Sequence, residues 1–116
     1  MRSNTLLCLA ATVLSIGLSP GVGHAAVDED AAVAVLKRNE CTKCHDVAKT
    51  KKGPSYKKVA AKYKDKPRAE AERKLLDNIT KEPMVKLEDG TEQKHKVIDT
   101  TDMKELKNLL EFILSR

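Results

Sequence analysis

The chain has 116 residues and a formal net charge of +5 at pH 7, with 34% charged and only 3% aromatic residues. With no Trp, one Phe and two Tyr, a chain of this size forms a thin core and leans on a staple such as a disulfide, a metal or a cofactor. The same shortage removes the aromatic platforms on which single-strand binders stack bases, so the basic balance does not point to nucleic acid.

Residues 1–25 read as an address. Arg2 supplies a positive start, Leu6 to Leu18 an apolar run, and Gly23-His24-Ala25 a cleavage triplet with a small residue at each end. Cleavage after Ala25 removes Cys8 and His24 and leaves residues 26–116 as a single domain without repeats or linkers. The apolar run is short for a bilayer and is broken by Pro20-Gly21, so no stable membrane insertion is expected. The mature chain is expected in a bacterial periplasm.

Asp28 or Asp30 caps a first helix to about Asn39, with Ala32, Val35 and Leu36 at i, i+3 and i+4 facing inward. That helix delivers the chain to Cys41-Thr42-Lys43-Cys44-His45, the C-x-x-C-H pattern of c-type haem attachment. A turn of helix puts positions i and i+3 on one face, so both sulfurs can reach the vinyl groups along one porphyrin edge. Cys41 and Cys44 become thioethers, and His45 becomes the proximal iron ligand. A zinc site needs four N/S ligands, and no cysteine follows these two. A thioredoxin-like dithiol needs a βαβ context, and none surrounds this one. A disulfide between them would close a loop too small to stabilise anything.

A lysine-rich loop then runs to Gly53-Pro54, followed by a short helix over residues 55–63 with Tyr56, Val59, Ala60 and Tyr63 at helical spacing. Pro67 fits the first turn of a third helix reaching about Thr80, with Ala71, Leu75 and Ile79 on one stripe. Pro83 ends it. Residues 82–100 lack a helical period and read as a functional loop, in which Asp89-Gly90 is the turn of a small ribbon. The last helix starts near Asp102, which with Glu105 resembles a capping box, and carries Met103, Leu106, Leu110, Ile113 and Leu114 inward. The expected class is all-α: four short helices packed around one covalently attached haem.

With these residues in place, the chain resembles a small class I bacterial monohaem cytochrome c of the Pseudomonas-type group. The likeness is carried by Cys41-Thr42-Lys43-Cys44-His45 followed, at the family's spacing, by the run from Gly53-Pro54-Ser55-Tyr56 to Tyr63. Leu36 and Phe112 stand where such cytochromes cross their first and last helices. The resemblance implies the cytochrome c fold and one covalent haem c. It also implies a Pro54 carbonyl that accepts a hydrogen bond from the His45 ring.

The chain departs from the family at the distal ligand, which there is a loop methionine beside a proline. Counting back from Phe112 by the family's spacing lands within one residue of His95. His95 offers a nitrogen donor at neutral pH and is the favoured distal ligand. Met84, after Pro83, is the alternative. Lys94 and Lys96 coordinate only after losing a proton, and Met103 is expected in the core.

The implied function is single-electron transfer between redox partners, with bis-His ligation and no substrate chemistry of its own. No carboxylate pair, activated serine or phosphate loop accompanies the motif, so an enzyme is not expected. The alternative is a gas-binding or sensing haem protein with a displaceable distal ligand. Between residues 41 and 66, nine lysines stand against Asp46 and Asp65, a positive region suited to steering a redox partner with an acidic docking surface. A monomer is expected.

Overall fold

The structure, a computed structural model, describes residues 26–116. The export segment read at residues 1–25, with Cys8 and His24, lies outside the described residues. The elements follow as α1 (Glu29–Arg38), a 3-10 turn at Cys41–Lys43, α2 (Tyr56–Tyr63), α3 (Arg68–Thr80), β1 (Met84–Lys86), β2 (Glu92–Lys94) and α4 (Met103–Leu114).

Each helix begins or ends where the sequence supplies a reason. The Asp28 carboxylate accepts from Ala31 N at 2.9 Å and starts α1, while Ser55 accepts from Lys58 N at 3.2 Å and starts α2. Asn39 and Ser55 flank these helices as caps and do not extend them. Pro67 precedes α3 as its N-cap, one position earlier than a first-turn proline. The ribbon pairs β1 with β2 antiparallel in the register Met84 to Lys94, Val85 to Gln93 and Lys86 to Glu92. Its turn closes with Gly90 N donating to Leu87 O at 3.0 Å. Gly90 adopts φ +87°, a conformation open to glycine.

Helix α4 is the packing centre and meets α1, α2 and α3. Contact on three sides explains why its buried set, Leu106, Leu109, Leu110, Phe112 and Ile113, is wider than the one stripe read from spacing. Met103 is a correction: it is 60% exposed, because it opens the first turn, ahead of the buried run that starts at Leu106. The capping box is corrected too. Asp102 does cap, accepting from Lys104 N at 2.9 Å. Glu105, however, turns away to pair with Arg38 at 2.8 Å, and Thr100 Oγ1 takes the Asp102 N–H instead.

The ends of α1 are tied to α4 and its approach. Asp28 and Asn108 exchange two hydrogen bonds, each 2.8 Å, and Arg116 reaches Glu29 at 2.7 Å. At the other end Arg38 meets Glu105 and also Asp99, at 3.0 Å.

Candidate functional site

The helices enclose a cavity of about 720 Å³ lined by apolar side chains from every helix, among them Leu36, Tyr56, Leu75, Ile79, Leu109 and Leu110. Cys41, Cys44 and His45 line it, as do His95, Lys96 and Ile98. The 3-10 turn that bears the thiols is tight because Cys41 O accepts from both Cys44 N, at 3.1 Å, and His45 N, at 2.9 Å. Both thiols are free and half-buried. Burial pushes the Cys41 thiol up, so the group is protonated at neutral pH.

The His45 ring is fixed from two directions. Its Nδ1 lies 2.7 Å from Pro54 O, and since a carbonyl only accepts, Nδ1 carries the proton and Nε2 holds the lone pair. Tyr56 stacks on the ring with centroids 5.4 Å apart. Gly53 backs it so closely that a Cβ there would lie 2.7 Å from His45 Cε1. Burial lowers the His45 pKa, the Pro54 bond opposes this, and nearby His95 adds to it. The ring is held neutral, as a metal ligand must be.

The His95 and His45 ring centroids are 6.1 Å apart, with planes at 43°. His95 is half-buried. Its Nδ1 lies 3.0 Å from Lys96 O, so this ring too presents Nε2 as its lone-pair nitrogen. Backbone bonds from His95 N to Pro83 O, 2.8 Å, and from Ile98 N to Ile79 O, 2.9 Å, hold the loop. Met84 stands elsewhere: on β1, 59% exposed, outside the cavity lining. Lys94 and Lys96 pair with Glu82 and Glu40, each at 3.4 Å.

The cytochrome c family model matches residues 30–116. The chain belongs to the cytochrome c family. It is 48% identical to the class 1 cytochrome MtoD of Sideroxydans lithotrophicus ES-1, with a TM-score of 0.72, covering 78% of this chain and 97% of that one. It is 28% identical to wild-type Nitrosomonas europaea cytochrome c552, with a TM-score of 0.53 and coverage of 72% and 96%. A deletion mutant of the latter gives the same identity and coverage and a TM-score of 0.54. No curated protein matches the chain significantly.

This cytochrome is a small monohaem class I protein with the cytochrome c fold, and it carries one covalently bound c-type haem and serves as an electron carrier. The residues present fit that group. The cavity volume lies within the range of cofactor sites, two thiols and a lone-pair nitrogen border it, and the buried Tyr56 hydroxyl has no partner among the described residues. Burial pushes the Tyr56 phenol well up, so it remains a donor at neutral pH, available to an acceptor that the cofactor supplies. By sequence Tyr56 has a place at helical spacing on α2 and no role at the site. Its position two residues after Pro54 was the available signal for a residue facing the site. No helix among the described residues is long and apolar enough to cross a membrane.

Proposed function

We propose that this cytochrome is a periplasmic single-electron carrier whose haem is held by Cys41 and Cys44 as thioethers and ligated by His45 and His95. One observation carries the reading: two imidazoles 6.1 Å apart, each anchored through Nδ1 to a backbone carbonyl. A single metal ion bound by both imidazole nitrogens, through bonds of about 2 Å, would fit between rings at this separation. When bound, the haem supplies one-electron exchange between ferrous and ferric iron. The chain's part is to fix both rings, to orient His45 through Pro54, and to keep water from the buried side of the cavity.

The exported location follows from the segment at residues 1–25, and the redox partner is a protein with an acidic face that complements the lysines near Cys41 and Cys44. The carrier acts as a monomer and transforms no substrate itself. The ferric spectrum tests the ligation. It is expected to be low-spin without a sulfur-to-iron charge-transfer band, with His95→Ala converting it to high-spin and Met84→Ala leaving it unchanged. A charge-transfer band that vanishes in Met84→Ala overturns the assignment. Imidazole stabilises ferric iron more than thioether does, so the potential is expected well below that of a His/Met relative. Rapid carbon monoxide binding to the reduced protein would favour a gas-binding role.

A further inference from the structure

We propose that Asn39 and Asp99 are positioning residues for the distal imidazole, clamping the loop that bears His95 to the end of α1; this rests on His95 being the distal ligand. Asn39 is only 2% exposed and lines the cavity, yet its amide is satisfied at both ends. Its Nδ2 donates to Val35 O at 2.9 Å and to Asp99 Oδ1 at 2.9 Å, and its Oδ1 accepts from Asp99 N at 2.8 Å. Asp99 is thus gripped by its backbone and its side chain together. Arg38, the next residue back, donates through Nε to the same carboxylate at 3.0 and 3.1 Å.

The placement gives the clamp its consequence. Asn39 stands two residues before Cys41, and Asp99 stands four residues after His95. The turn that bears the thiols and the loop that bears the second imidazole are therefore joined through one buried side chain. The other backbone anchors next to His95 run to Pro83 and Ile79, and the bond from Glu88 N to Lys52 O, 3.0 Å, ties the ribbon turn to the His45 side seven residues before His95. This leaves Asn39 and Asp99 as the buried side-chain tie nearest that imidazole. Glu40 adds an exposed tie to Lys96 at 3.4 Å, which is weak in water. A buried amide that loses its partners is costly, so the closed arrangement is strongly favoured. The clamp keeps His95 from swinging away and giving up its coordination position to an exogenous ligand.

The test uses the haem-loaded protein and reads ferric spin state and the rate of carbon monoxide binding to the ferrous form. Asp99→Ala, which removes one of the amide's hydrogen bonds, is expected to raise the high-spin fraction and the binding rate about tenfold, and Asn39→Ala, which removes all three, by at least as much. Asp99→Asn keeps an acceptor for Asn39 and is expected to stay near wild type. Asn108→Ala is the matched control, since it breaks a reciprocal asparagine tie at the far end of α1. It should lower stability without changing the binding rate. Equal acceleration in Asn108→Ala, or wild-type rates in both clamp variants, overturns the proposal. His95→Ala separates the two readings. If it leaves the ferric spectrum low-spin, the ligation reading fails. If it turns high-spin while the clamp variants bind carbon monoxide at the wild-type rate, only the clamp fails. Asp99 is more than half exposed at its side chain, so Asp99→Ala keeps the test open should Asn39→Ala not fold.

Discussion

At the scale of single residues, the proximal side is defined by close approach. Gly53 is buried against His45, with Cys44 O 3.3 Å from where a Cβ would stand and the ring atoms nearer still. Gly53→Ala must push the ring or the backbone aside and is expected to cost about 1–3 kcal/mol. Denaturant unfolding followed at the haem band checks this, and an unchanged midpoint would show that the ring has room to move. Asp99 carries a pH signature. Hydrogen bonds from Asn39, then from Arg38, hold its carboxylate below its ordinary range, while Glu105, which shares Arg38, is held low by the same cation. A depressed folded-state pKa contributes stability above the unfolded value, near pH 4, and loses it as pH falls through the folded value. Asp99→Asn should therefore flatten the loss of stability between pH 5 and pH 3, as measured by urea unfolding at each pH.

Among the elements, the helices were legible because their causes are local. Asp28, Ser55 and Asp102 cap as their side chains dictate, and Ala32, Val35, Leu36, Ala71 and Leu75 recur at helical spacing and are buried. The ribbon was legible from Asp89-Gly90. What spacing does not encode is which neighbour competes for a group. Glu105 had a local partner within reach but was claimed by Arg38, 67 positions earlier in the chain. Asn39 and Asp99 likewise meet across 60 positions and carry no periodic signal. His45 is read from its motif alone, whereas His95 is proposed from the spacing counted back from Phe112 and from its place in a loop. The end of α3 shows a further mismatch, because Glu82 follows the C-cap Lys81 with φ +54°, in the left-handed region that disfavours side chains. Its pairing with Lys94 is exposed and offsets little. Glu82→Gly is expected to raise stability by about 0.5–1 kcal/mol, strain relief exceeding the added freedom of the unfolded chain. A higher melting temperature with an unaltered ferric spectrum is the outcome to look for; a lower one would mean that the ion pair outweighs the strain.

Over the whole molecule, charge and cavity share a side. Lys43, Lys58, Lys62, Lys86 and Lys96 all border the cavity, with Glu40 as the one carboxylate among its lining residues. Glu40 is engaged by Lys43 at 2.6 Å and by Lys96 at 3.4 Å, and Lys58 approaches Glu88 at 4.0 Å. The rim keeps a positive excess after these pairings. Such a field accelerates approach of an anionic partner and slows a cationic one, and salt diminishes both effects because the screening length is about 10 Å at 0.1 M. Two small redox reagents of opposite charge separate this from a general salt effect. Oxidation of the ferrous protein by an anionic metal cyanide should slow as salt rises, while oxidation by a cationic metal amine should quicken. Replacing Lys62 and Lys86 together by Glu should reduce both slopes, and stopped-flow rates between 10 and 300 mM salt read them directly. Parallel slopes for the two reagents would mean that the lysines serve solubility and leave the choice of partner to contacts formed after docking.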